Sequence, residues 1–354
     1  MSGERLAVGP ACPIPVQDVE RVQLGHGSGG KLSRQLLRDR FLPRFSNPAL
    51  DLLGDGALLP ATGSSRLAMS TDTFVVRPLE FPGGNIGTLA VHGTLNDVAM
   101  MGARPMALSA GFILEEGLPL DLLDRILDAM ADAARQAGVD LVAGDTKVVE
   151  RGKADGLYIN TTGLGLITDS FTPSPQSARA GDVVLVSGPI GCHGVTILAT
   201  RGDIAFEVET ESDTACLHPL VERLRASCGE DVHVLRDPTR GGVASALNEI
   251  AEASGIGVEL DGIERAVPAP VRGACEMLGL DPLYVANEGI LVAFVAASAV
   301  DQALAALKGH PLGREARVIG RAVDQHPGMV VARTGLGGTR IVDLLPGAQL
   351  PRIC

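Results

Sequence analysis

A two-domain α/β protein is predicted, on three observations. The chain has 354 residues, which at about 150 residues per domain points to roughly two domains. Residues 168–182, with their run of Ser and Thr and the punctuators Pro173, Pro175 and Gly181, form a linker between two halves. Each half mixes strand-like apolar runs with helical patterns. The expected boundaries are a glycine-rich N-terminal segment (1–40), an N-terminal α/β domain (41–170), a C-terminal α/β domain (171–334) and a flexible tail (335–354) carrying Cys354.

In the first half, Leu67-Ala68-Met69 is an expected strand that delivers Ser70-Thr71-Asp72 at its end. Residues 86–101 are expected to be helical, with Ile86, Leu89, Ala90, Gly93 and Met100 on one face and Asp97 inside that apolar stripe. In 121–137, Leu123, Ile126, Leu127, Met130 and Ala134 recur at helical spacing, and Gly138 ends the helix. The run Val139–Ala143, broken only by Asp140, follows as a short strand, so Gly144-Asp145 is expected where that strand ends. The second half opens with the buried strand Val183–Val186, and continues through a helix over 243–253 and a strand over 290–295.

Composition excludes several classes. Apolar residues make up 45% and charged residues 20%, as in a packed globular protein. Thirty Lys and Arg face 42 Asp and Glu, for a formal charge of -12 that repels phosphate backbones and anionic lipid. Aromatics are 3%, too few for base-stacking platforms. The longest apolar runs fall far short of the roughly 20 residues that cross a bilayer. Met1–Pro10 lacks a basic segment ahead of an apolar core, so no secretory signal is expected and a cytoplasmic location is. The six cysteines contain no C-x-x-C pair, which fits a reducing compartment rather than a disulfide framework or a zinc site.

The chemistry lies in carboxylates, glycines and one thiol. Asp55, Asp72, Asp97, Asp145 and Asp237 each follow or interrupt an apolar stretch beside small residues. Singly, each is a turn former; together, hard oxygen donors of this kind suit Mg²⁺. Gly25-His26-Gly27-Ser28-Gly29-Gly30-Lys31 precedes a helical pattern over 32–40 and nearly matches a phosphate-binding P-loop. Leu32 stands where Ser or Thr should hold the metal, which leaves a looser anion nest or a glycine hinge. Arg240-Gly241-Gly242 opens the helix over 243–253, whose free N–H groups are placed to face a phosphate. Glu288, in Asn287-Glu288-Gly289 before a strand, is either a general base or a turn acid. Cys192-His193, and Cys216 with His218, have no second pair at ligand spacing and are read as incidental.

These motifs, in this order, resemble the HypE family, the carbamoyl dehydratases of NiFe-hydrogenase maturation, within the group that includes aminoimidazole ribonucleotide synthetase, selenophosphate synthetase and thiamine-monophosphate kinase. The matching stretches are 26–31, 54–57, 70–72, 82–87, 93–97, 144–149, 237–242 and 286–289. The ending Pro351-Arg352-Ile353-Cys354 singles out HypE. The chain departs from the family pattern at Cys192, where an acidic or amide residue is usual before His193-Gly194, and no role is assigned to that loop.

The resemblance implies an aminoimidazole ribonucleotide synthetase-like fold of two α/β domains with a mobile C-terminal tail, dimerising through the N-terminal domains. It implies ATP-dependent dehydration of a thiocarbamate on Cys354 to a thiocyanate, the source of the cyanide ligand of the hydrogenase iron. By the same resemblance Asp55, Asp72, Asp97, Asp145 and Asp237 hold Mg²⁺, while His26, Gly27, Ser28, Gly29, Gly30, Lys31, Arg240, Gly241 and Gly242 contact ATP phosphates. Lys147 and Glu288 position or deprotonate the thiocarbamate nitrogen; a neutral Lys147 needs desolvation, whereas Glu288 at its ordinary pKa is ionised at neutral pH. Gly337-Gly338 and Gly347 serve as tail hinges. A HypF-type carbamoyltransferase loads the thiol and a HypC–HypD iron scaffold accepts the product. The alternative readings are a small-molecule kinase or synthetase of the thiamine-monophosphate kinase or selenophosphate synthetase type, and a metal-delivery scaffold.

Overall fold

The computed structural model describes residues 30–36, 38–39, 53, 57–60, 65–202, 208–334, 337–345, 350 and 352–354. In chain order the first elements are α1 (Lys31–Leu36), β1 (Ala57–Pro60), β2 (Arg66–Phe74), β3 (Glu80–Phe81), β4 (Gly84–Asn85), α2 (Ile86–Met100), β5 (Arg104–Glu115), α3 (Leu120–Ala137), β6 (Asp140–Val149) and β7 (Leu157–Ile167). The second group is β8 (Val183–Val186), α4 (Cys192–Arg201), α5 (His218–Cys228), β9 (Val232–Arg236), α6 (Gly242–Ser254), β10 (Gly257–Leu260) and α7 (Ala269–Leu278). It continues with β11 (Val292–Val295), α8 (Val300–Lys308), β12 (Arg317–Val323), β13 (Val330–Arg333) and β14 (Thr339–Ile341).

The first sheet has the order β1-β2-β7-β5-β6 and is covered on one side only. Residues of β7 alternate, with Leu157, Ile159, Thr161, Gly163, Gly165 and Ile167 buried under α2 and α3 and the intervening residues turned outward, as a one-sided sheet requires. Asn85 starts α2: its Oδ1 accepts from the N–H groups of Gly87 and Thr88 at 2.9 and 3.0 Å, and Thr88 Oγ1 accepts from the Asn85 N–H at 2.9 Å, a reciprocal cap. Where α2 crosses α3, Gly87 allows contact, since a Cβ there would lie 2.5 Å from the Ile126 carbonyl oxygen.

The second sheet has the order β14-β13-β10-β12-β8-β11-β9, and its strands β8 and β11 are buried on both faces. Val184, Val186, Val292 and Phe294 pack toward α6 and α7, and Leu185, Ala293 and Val295 toward α5 and α8. That explains the unbroken apolar runs of β8 and β11 against the alternation of β7. The domains are joined through α2: Asn96 Nδ2 donates to the Ala215 carbonyl at 3.0 Å and its Oδ1 accepts from Leu217 N–H at 2.8 Å.

Three expectations are corrected. Strand β6 continues to Val149, so Gly144-Asp145 lies in mid-strand; β6 is an edge strand exposed along its length, so no apolar period marks its extent. Likewise Ser70-Thr71-Asp72 lies within β2, not at its end. The segment expected to be tail from residue 335 contains β14, paired antiparallel with β13. Gly337 and Gly338 form the turn between these strands, where Gly337 N–H donates to Thr334 O at 2.9 Å and Thr334 N–H to Gly338 O at 2.8 Å, so they are not a tail hinge. Gly347 lies outside the described residues. No helix among the described residues is long and apolar enough to cross a membrane.

Candidate active site

Strand alternation sorts the residues of β2. Ser70, Asp72 and Phe74 turn toward α2, while Met69, Thr71 and Thr73 turn to the open face. Helix α2 lies close because Gly93 has no side chain; a Cβ would sit 3.0 Å from the Phe74 ring and 3.9 Å from Glu288 Oε2. One turn later Asp97 meets β2: Ser70 Oγ donates to its Oδ2 at 2.6 Å, and the carboxyl groups of Asp72 and Asp97 share a hydrogen bond. Two carboxyl groups so close need a shared proton or a cation.

The second domain closes the other wall. Asp237 follows β9, Arg240 stands exposed at the mouth, and Glu288 precedes β11. With Cys354 these residues line a cavity of about 270 Å³. Gly242, at φ 62°, lets the turn pass the Leu283 carbonyl, which a Cβ would approach to 2.4 Å. Its N–H donates to Thr239 O at 2.9 Å, so it is committed within the turn and not offered to a phosphate as expected.

Electrostatics here are dominated by burial. Desolvation pushes Asp237 up to about 6, against the pull of Arg236 and with a further push from Asp72. Glu288 is raised well above the ordinary carboxylate range by burial and by Asp237, Asp213 and Asp72, with Arg240 opposing. The expectation that Glu288 is ionised without any shift is thereby corrected: it sits among like charges in low dielectric and favours its neutral form. Its Oε1 is buried with no hydrogen-bond partner among the described residues. Arg240 is stabilised in its charged form by Cys354, Asp72, Glu288 and Asp97.

The chain end enters this cavity. Ile353 is buried in the N-terminal core beside α2, and Cys354 O accepts from Val75 N–H at 3.1 Å, extending the backbone beside the end of β2. The Cys354 thiol is hydrogen-bonded to Glu288, and burial followed by the charge of Glu288 pushes it up to about 12.

The structure therefore brings together Asp72, Asp97, Asp237, Arg240, Glu288 and Cys354. It does not bring Asp145 and Lys147 to them within one chain. The register runs Asp72↔Thr161↔Ala110↔Gly144 across the sheet, so Asp145 lies three strands from Asp72, about 14 Å at about 4.8 Å per strand, and points to the opposite face. There it is exposed and paired with Lys147 Nζ at 2.6 Å. Lys31 is likewise turned away, its Nζ 2.6 Å from Asp343 of the second domain, while Gly30 is buried. His26, Gly27, Ser28, Gly29 and Asp55 lie outside the described residues. Among the described residues no three His, Cys, Asp or Glu side chains gather tightly enough to hold a metal by themselves. The converging acids nevertheless fit Mg²⁺, which is commonly held by one or two carboxylates together with phosphate oxygens.

Sequence reasoning missed several residues. Asp213 accepts from the N–H groups of His193, Glu288 and Gly289 at 3.1, 3.1 and 3.0 Å and so fixes the backbone that carries Glu288. Asn287 bridges Gly191 N–H at 2.7 Å and Pro238 O at 2.9 Å. His193 contacts the tail, with its Nε2 2.7 Å from the Ile353 carbonyl oxygen; beside Cys192 in sequence it was read as incidental, and no local signal gave it this role.

Comparison with known proteins decides the family. The models for AIR synthase related proteins match residues 53–167 (N-terminal domain) and 179–332 (C-terminal domain). Carbamoyl dehydratase HypE of Cupriavidus necator is 53% identical over 336 residues, 94% of this chain and 95% of that one. The chain belongs to the HypE family of carbamoyl dehydratases. A crystal structure of hydrogenase maturation protein HypE in complex with ATP is similar with a TM-score of 0.78 at 50% identity, covering 93% of this chain and 98% of that one. A HypE–HypF complex gives 0.82 at 42% identity, covering 88% and 99%. The expected two-domain fold is the one observed.

Proposed function

We propose that this dehydratase acts on a carboxamide carried by its own Cys354, and that the residues lining the cavity divide the work. The observation that carries the reading is the terminal thiol seated on Glu288 in an acid-lined cavity.

In S–C(=O)–NH₂ the oxygen would have to depart as hydroxide. Attack of that oxygen on the γ-phosphorus of ATP releases ADP and converts it to a phosphate ester. Loss of two protons from nitrogen and cleavage of the C–O bond then give S–C≡N and phosphate. Glu288 lies against the Cys354 thiol and in its ionised form, which Arg240 favours against the burial that opposes it, would accept a nitrogen proton. Arg240 supplies positive charge where phosphate enters, and the Val75–Cys354 main-chain bond holds the cargo still. Asp72, Asp97 and Asp237 would hold Mg²⁺. Bound there, the ion would offset the charge of the triphosphate.

A homodimer would cover the open face of the first sheet, where Met69, Ile113 and Leu164 stay 39, 42 and 38% exposed. Asp145 and Lys147 share that face, so their expected roles would be played toward a second copy. A relative forms a HypE–HypF complex, and a HypF-type carbamoyltransferase is the loading partner we infer here, with a HypC–HypD scaffold as acceptor in the cytoplasm.

The test uses the thiocarbamate-loaded protein. Wild type should release one phosphate per chain on addition of Mg-ATP, and Glu288→Gln should bind nucleotide but keep its cargo. Normal turnover by Glu288→Gln would remove the base from Glu288. Phosphate transfer to a small molecule, with Cys354 unchanged, would favour the kinase reading.

A further inference from the structure

Three side chains that the reaction above does not use converge on the last residues of the chain from outside the cavity. His193, in the first turn of α4, is fully buried. Its Nε2 lies 2.7 Å from the Ile353 carbonyl oxygen and its Nδ1 2.7 Å from Ser212 Oγ. A carbonyl only accepts, so Nε2 carries the proton and Nδ1 accepts from the serine hydroxyl. Arg201, ending the same helix, donates to the Arg352 carbonyl and, at 2.8 Å, to the Arg77 carbonyl. Asp155 forms an ion pair with the Arg352 guanidinium, and the Tyr158 hydroxyl donates to the same carboxylate at 3.1 Å.

These contacts hold a strained turn. Arg352 has φ 56°, the left-handed region that side-chain-bearing residues seldom occupy unless their surroundings hold them there. The kink sends Ile353 into the core and Cys354 into the cavity. If the His193 bond were lost, a buried N–H would be orphaned, so the ring favours the seated tail over the withdrawn one.

We infer that His193, Arg201 and Asp155 are positioning residues that grip the tail by two main-chain carbonyls and the charge of Arg352, and thereby set where the cargo on Cys354 sits. Two of the three grips are blind to side-chain identity, and the third reads only Arg352. The inference rests on the reading that Cys354 carries the substrate, but the seating itself is measurable without turnover.

The experiment is alkylation of Cys354 in the unloaded full chain by iodoacetamide, read by peptide mass, beside single-turnover dehydration of the loaded chain. Removing one neutral hydrogen bond should raise the unseated fraction about three- to tenfold, and removing a bond to a charged group at least about tenfold. His193→Ala should therefore be alkylated about three- to tenfold faster and Arg201→Ala and Asp155→Ala at least about threefold faster, all dehydrating more slowly, with KM for ATP within about twofold of wild type. His193→Gln, whose amide N–H stands in for Nε2–H, should recover most of the rate. Arg201 and Asp155 are only half-buried, unlike His193, and keep the test valid should His193→Ala fail to fold. Unchanged alkylation in Arg201→Ala and Asp155→Ala, or no rescue by His193→Gln, would overturn the inference. Failure of wild type to dehydrate would sink the functional reading while the alkylation arm still decided the seating.

Discussion

Truncating Ile353 to Ala separates tail seating from the stability of the rest of the molecule. The side chain is 2% exposed and packs in the N-terminal core. The substitution removes three carbons, about 2.4 kcal/mol at about 0.8 kcal/mol per buried carbon. At about 1.4 kcal/mol per tenfold, that shifts the seating equilibrium by a factor of about 50. The cost falls on docking because the last residues are a chain end that can leave without unfolding either sheet. Single-turnover dehydration of the loaded chain should slow at least about tenfold, with ATP affinity and melting temperature close to wild type. Dehydration at the wild-type rate with an unseated tail would refute the argument, because it would show that the chemistry does not need this pose.

Other outcomes follow from the same geometry. Asp237→Asn should raise the melting temperature of the nucleotide-free protein, because the folded state holds this acid up to about 6 and its ionisation costs stability at neutral pH; calorimetry should find Mg-ATP binding weakened at least about tenfold. Burial holds His92 and His193 down at about 4. The unfolded chain, with histidines near about 6.5, then binds more protons at these two sites in between, a contribution that lowers the urea midpoint as pH drops from about 6.5 toward 4. Asp237, Asp213 and Glu288, which burial holds above the ordinary carboxylate range, pull the other way, so the histidine contribution is read as the difference between wild type and His92→Gln, which should shift against wild type as pH drops through that window. A difference insensitive to pH there would contradict the burial of the His92 ring. Gly289→Ala should abolish folding or cost more than about 4 kcal/mol by urea unfolding, because a Cβ would lie 1.6 Å from the Asp213 carbonyl oxygen.

What the sequence made legible depended on whether a pattern was local. Helix α3 and strand β8 were readable because a helical period with a terminal glycine, and a buried apolar run, are local signals. Asp97 was found because a carboxylate inside an apolar stripe is a local contradiction. Edge strand β6 lacks a period, so its length and the outward aim of Asp145 were hidden until the register was known. Asp213 and His193 were invisible as site residues because their partners, Glu288 and Ile353, are 75 and 160 residues away. The short ending Pro351-Arg352-Ile353-Cys354 told the family, but only packing showed the thiol seated on Glu288.

The most direct test of the central claim is the mass of the C-terminal peptide after the thiocarbamate-loaded chain meets Mg-ATP. The peptide holding Cys354 should lose the mass of one water for each ADP formed, and its infrared spectrum should gain a nitrile band. ADP formed with no mass change at Cys354, or a nitrile on any other residue, would contradict the account.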